Sequence, residues 1–174
     1  MQQDFGKWLY NVGLKRVQSA EWRRCFTPVE VQKIIDSYVG AKKYFPMGLK
    51  EKSITHNDTF PGNYLFDTDR NLTGAIDFGR VMIAHPLLEL VVVLNNRFRF
   101  YSQKSKDVFL KGYTNHCHPE FISGSKGISD LLTPEFLQAH VILSATQAIM
   151  TGTANGDQRY VDESIQWLRE KVLS

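Results

Sequence analysis

The stretch ITHNDTFPGNYLFDTDRNLTGAIDFG, Ile54 to Gly79, sets His56, Asp58, Asn63 and Asp77 into what otherwise reads as a short apolar hairpin. Carboxylates at the ends of buried strands are costly unless they are paired or bind a cation. The pattern predicts strands at 53–55, 63–66 and 73–76, the last two joined by the polar turn DTDRN. The charges then share one rim of a small sheet, and the fold must bring them partners there.

Helical patterns flank this hairpin. Residues 4–18 space Phe5, Trp8, Leu9, Val12 and Val17 at near-helical intervals, interrupted by Gly6 and Gly13. The segment TPVEVQKIIDSYVG supplies Thr27 as N-cap, Pro28 at the first helical position, Glu30 to complete a capping box and Gly40 as a stop. Val31, Ile34, Ile35 and Tyr38 form its apolar stripe. Beyond Asp77 the chain is expected to turn helical, with one helix begun by Pro86 and a second over Gln103–His116. The segment CHPEFISGSKGISD reads as loop. Thr133 and Pro134 cap a long apolar helix reaching about Thr153, and Asp157 opens a last helix with Val161, Ile165, Leu168 and Val172 on one face. The expectation is an α+β fold, mostly helical, forming a single domain over residues 1–174 with one small sheet.

Composition narrows the partners. The 174 residues are 43% hydrophobic, 22% charged and 12% aromatic, which is globular, and a chain of this size suits one domain. The net charge of +3 is dispersed along the chain, so no nucleic-acid footprint is expected. The longest apolar run, PLLELVVVL, is too short to span a bilayer, and no secretory leader pattern opens the sequence. Cys25 and Cys117 give no disulfide framework and fit a reducing compartment, so a cytoplasmic location is expected.

The rim residues have the spacing of phosphoryl-transfer machinery: a histidine two before an aspartate, an asparagine five after it, and a second aspartate ending the next strand. Such transfer depends on positioning and charge neutralisation. A hard cation with oxygen ligands must grip the phosphates while a carboxylate aligns the attacking hydroxyl. Asn63 and Asp77 supply such oxygens, and Asp58 stands on the loop beside them.

The run HNDTFPGN…TGAIDFGRVMIAHPLLEL resembles the aminoglycoside phosphotransferase and choline kinase superfamily, whose pattern is close to HGDLHPGN, then IDFG or IDWG, then GDPxxDL. The resemblance implies a protein-kinase-like C-terminal lobe and transfer of the γ-phosphoryl of ATP to a hydroxyl of a small molecule. It implies Asp58 as catalytic base, His56 as brace of the catalytic loop, and Asn63 and Asp77 as ligands of Mg2+. The short passage from IDFG to HPLLEL, with no APE motif, favours this family over protein kinases. Three departures stand out. Asn57 replaces the usual glycine, Ala84-His85-Pro86 replaces Gly-Asp-Pro, and Glu89 stands where an aspartate is usual. Acceptor contacts in this family come from helices after the motif, so Glu89, Glu120 and Asp157 are candidates for holding a cationic substrate.

A kinase of this kind also needs a nucleotide-covering N-terminal lobe. None of the 12 glycines forms a Gly-x-Gly pair, and no strand-borne lysine precedes His56, so the N-terminal lobe is expected to be absent. A fragment, a naturally shortened chain and a subunit completed by a separate N-lobe chain are the three explanations. A truncated chain is favoured because all four motif residues persist. The alternative to an enzyme is a non-catalytic binding or assembly module derived from such a lobe, with an uncovered apolar face that promotes self-association.

Other patterns have ordinary readings. DTDRNLTG fails as a calcium loop at Leu72 and Phe78. The His116-Cys117-His118 run lacks a second cluster at zinc spacing. His140 reads as a hydrogen-bonded core or rim histidine, and Phe98, Phe100 and Tyr101 as packing residues.

Overall fold

Caps encoded in the sequence set most helix starts. The Asp4 side chain accepts from the Lys7 amide and opens α1, Phe5–Val17. A 3-10 turn at Trp22–Cys25 follows, then α2, Pro28–Gly40, closed at its start by the complete Thr27/Glu30 capping box. Gly40 stays right-handed and the helix tightens directly into a 3-10 turn over Ala41–Tyr44, so this glycine ends the helix without a left-handed cap.

The computed structural model describes residues 4–48, 53–94, 102–116 and 128–174. They form two compact units, Met1–Leu49 with Ser125–Ser174, and Lys50–Gly124. Among the described residues no helix is long and apolar enough to cross a membrane.

In the second unit the strands are β1, Ser53–Thr55; β2, Tyr64–Phe66; β3, Leu72–Ala75; and β4, Met82–Ala84. β1 pairs antiparallel with β4, and β2 with β3, so the described residues form two small ladders where one sheet was expected. The expectation that the chain turns helical straight after Asp77 is corrected by β4. Met82, Ile83 and Ala84 become a strand because Thr55, Ile54 and Ser53 lie opposite them, a long-range pairing that local propensity does not reveal. After β4 come α3, Leu87–Val92, and α4, Gln103–His116. The proline at 86 precedes the first helical residue, and the His85 Nδ1 accepts from the Leu87 amide at 3.1 Å. The imidazole thus satisfies a helix-start donor, as a capping carboxylate would.

The first unit continues with a one-turn helix, α5, Ile128–Leu131, in a stretch expected to be loop. Then come α6, Pro134–Asn155, and α7, Gln158–Leu168, which runs on into a π-turn at Arg169–Leu173. Thr133 and Asp157 cap these helices, and left-handed Gly156 ends α6. α6 is buried along much of its length against α1, α2 and α7. Its core contacts include an edge-on pairing of Phe136 with Phe45, which also meets Tyr10 and Tyr38.

Candidate functional site

The site is built in the second unit, and His56 is its hinge. β1 ends at Thr55, whose hydroxyl donates to the Met82 carbonyl at 3.1 Å and locks the end of the β1–β4 ladder. His56 is the next residue and is buried. Its ring Nε2 lies 2.8 Å from the Ile76 carbonyl. A carbonyl only accepts, so Nε2 carries the proton. The ring also packs on Phe78, centroids 4.7 Å apart, while its Nδ1 has no hydrogen-bond partner among the described residues.

The next residue, Asn57, has φ 58, in the left-handed region. Glycine enters that region freely, and asparagine is one of the few other residues that tolerate it. Asn57 therefore suits the left-handed step that leads into Asp58. Asp58 follows, its Oδ2 4.0 Å from Arg80 Nε, with the aspartate side chain 21% exposed and the arginine 71%. The Asp58 carbonyl accepts from Asn63 Nδ2 at 2.9 Å.

Asn63 ends a 3-10 turn, Pro61–Asn63, and its main-chain carbonyl accepts from the Ile76 amide at 2.8 Å. Hydrogen bonds thus join His56 to Ile76, Ile76 to Asn63 and Asn63 to Asp58, so the loop and the strand before Asp77 form one closed network. Asp77 itself is left-handed, φ 60 and ψ 62, and its carboxylate does not cap the Phe78–Arg80 turn that follows. A non-glycine residue held in that region marks strain retained by its surroundings.

The donor set fits a magnesium ion. The Asn63 amide nitrogen is engaged by Asp58, which leaves its side-chain oxygen as the free ligand atom. A Cβ at Gly79 would stand 3.3 Å from Asp77 Oδ1, so glycine keeps space beside that carboxylate. No group of three or more His, Cys, Asp or Glu side chains able to hold a metal occurs among the described residues. One amide and one carboxylate suit Mg2+, which is held by few protein ligands together with water and substrate phosphates.

Of the three acceptor candidates, Glu89 meets this network directly. Glu89, in the first turn of α3, accepts from the His56 main-chain amide at 3.2 Å, so its carboxylate holds the start of the loop that carries Asp58. Asp157 lies in the first unit, where its Oδ1 accepts from the Tyr160 amide as a helix cap. Glu120 lies outside the described residues, as do Phe98, Phe100, Tyr101, Cys117 and His118. Arg80 was missed by motif reasoning; its signal is a cation placed three residues after Asp77 in IDFGR.

A search of curated proteins finds no match to this chain. The sequence model of the phosphotransferase enzyme family matches residues 12–119, more than half of the 174 residues, and the match contains the whole network from His56 to Glu89. The chain belongs to the phosphotransferase enzyme family.

Proposed function

We propose that this phosphotransferase domain transfers the γ-phosphoryl of ATP to a hydroxyl of a small molecule. The observation that carries this reading is the closed hydrogen-bond network from Asp58 through Asn63 and Ile76 to His56, which ties the acceptor loop to the strand leading into Asp77. Asp58 accepts the hydroxyl proton as the hydroxyl oxygen bonds to phosphorus and the bond to the β-phosphate oxygen breaks, releasing ADP. Asn63 and Asp77 hold Mg2+. When bound, the ion neutralises phosphate oxygens and orients them for attack. His56 donates its Nε2 proton to the Ile76 carbonyl and fixes the loop. Arg80, beside Asp58, adds positive charge where the phosphoryl group passes.

In this reading all 174 residues correspond to a kinase-like C-terminal lobe, and the nucleotide-covering elements come from a lobe that this sequence does not contain. Calorimetric titration of Mg2+–ATP into the chain and into Asp77→Ala tests the metal assignment. Binding that disappears in the variant supports it; equal binding by both proteins removes Asp77 from the site. The acceptor remains a class, a hydroxyl compound, with Glu120 and Asp157 as candidates for contacting a cationic one.

A second reading, a non-catalytic binding or self-association module, draws on the exposed apolar side chains of the strand unit. Ile54 and Ile83 face each other across the β1–β4 ladder and are 74% and 70% exposed. Sedimentation of a concentration series discriminates: a dimer that binds no Mg2+–ATP favours the module.

A further inference from the structure

We infer that His85 is an acid-sensitive latch: uptake of a proton by its ring releases the start of α3 and, through Glu89, the loop that carries Asp58. That the latch governs phosphoryl transfer rests on the phosphotransferase reading; the latch itself does not. His85 is buried, and its Nδ1 accepts from the Leu87 amide at 3.1 Å. An imidazole nitrogen accepts only while it carries no proton, so this bond belongs to the neutral ring. Pro86 brings no N–H, which makes the Leu87 amide the first donor of α3. The His85 carbonyl takes the next donor, from Leu88, at 2.9 Å. One residue thus seats the whole start of the helix, and half of its hold is titratable.

Histidine is the side chain whose charge ordinarily changes between pH 5 and 8. An aspartate at the same reach would stay an acceptor throughout that range. Protonation of His85 sets two N–H donors head to head, buries a charge, and places that charge beside the unpaired amides of a helix start. Moving the ring away from Leu87 relieves all three. The first turn of α3 also carries Glu89, whose Oε2 accepts from the His56 amide at 3.2 Å, so a displaced turn withdraws that acceptor from the loop. The sign is fixed by the bond: it is present in the neutral ring and lost on acidification.

Other ionisable groups lie near by. On α3 itself Glu89 is engaged by His56, and the His56 ring by the Ile76 carbonyl. β1, which pairs with the strand before His85, contributes Ser53, Ile54 and Thr55, which do not titrate in this range. α4, in the same unit, carries Lys104, Lys106, Asp107 and Lys111. A substitution at position 85 separates the latch from all of these.

The test uses the full chain as wild type, His85→Asn and His85→Asp, taken from pH 8 to pH 5. Both variants keep an oxygen as many bonds from the backbone as Nδ1, and asparagine never titrates. NMR follows the His85 ring and the exchange protection of the Leu87 and His56 amides; calorimetry gives Mn2+–ATP affinity at both ends of the range. In the wild type, protection at Leu87 and His56 is expected to fall about tenfold as the ring titrates, the scale of one lost hydrogen bond, and to hold in His85→Asn. Amides of α6 report any global loss of stability, which wild type and variants share. Mn2+–ATP affinity should fall about tenfold further in the wild type than in His85→Asn. The protonation of ATP itself affects every protein alike and drops out of that difference.

A ring that titrates while Leu87 keeps its protection overturns the inference. So does a ring that stays neutral down to pH 5, or a His85→Asn chain with the wild-type pH dependence. Should both variants fail to fold, the wild-type ring and the Leu87 amide still decide. Absence of Mn2+–ATP binding at either pH, with exchange at Leu87 and His56 following the ring, would sink the phosphotransferase reading and leave the latch in place.

Discussion

Asn57 and Asp77 carry the backbone strain of the site, each with a left-handed φ near 60. For a side chain that cannot hydrogen-bond locally, this conformation costs roughly 1–2 kcal/mol. Asn57→Val is therefore expected to lower stability by about that amount in urea denaturation, and Asn57→Gly to leave it nearly unchanged. Equal stability of the two variants would show that the loop relaxes out of the left-handed form. Gly79 makes a sharper case because its role is space. A methyl group there meets Asp77 Oδ1 at 3.3 Å, so Gly79→Ala should turn the carboxylate and weaken Mn2+–ATP binding while circular dichroism stays native. Unchanged binding would mean that the metal approaches Asp77 from another side. That His56, Asp58, Asn63 and the strand before Asp77 meet in one network was legible from the spacing of the motif. The engagement of Glu89 was not, since a bond across 33 residues leaves no local pattern.

Among the elements, legibility followed the caps. The Thr27 hydroxyl accepts from the Glu30 amide at 3.3 Å and Glu30 Oε2 from the Thr27 amide at 2.8 Å, as TPVE announces. The same glutamate accepts from Arg169 Nε at 2.9 Å, and that contact with the cap holds its carboxyl down at about 2. Thr27→Ala should cost about 1 kcal/mol, read as a lower urea midpoint with an unchanged slope, and a changed slope would point to a loss of cooperative folding. By contrast β4 has three residues, no alternation to separate it from the coming helix, and a partner strand 27 residues away through the Thr55–Met82 contact. Its existence is a tertiary fact. α6 shows the converse. Apolar nearly all round, it reads as a buried helix, and it takes in Thr146 by donating that hydroxyl to its own Ile142 carbonyl at 2.8 Å.

Taken as a whole, the chain keeps its charged rim in one unit and a buried titratable group in the other. His140 on α6 is 3% exposed, its Nδ1 3.3 Å from the Ser144 hydroxyl, and burial followed by the charge of Arg16 pushes its pKa down to about 4. Arg16, from α1, donates to the Leu143 carbonyl at 3.3 Å and so stays close to this stretch of α6. The unfolded chain takes up a proton at this histidine near 6.5, well before the native one does. Between those two values the unfolded state binds more protons, so stability rises with pH there and falls as the solution is acidified from 6.5 towards 4. From pH 7 to pH 5 the loss is about 2 kcal/mol. Urea denaturation at both pH values should show that drop in the wild type and a flatter dependence in His140→Gln, whose side chain does not titrate. A variant that retained the full pH dependence would move the acid sensitivity to other groups, whereas a flattened profile would locate it on α6, in the unit that does not hold Asp58, Asn63 and Asp77.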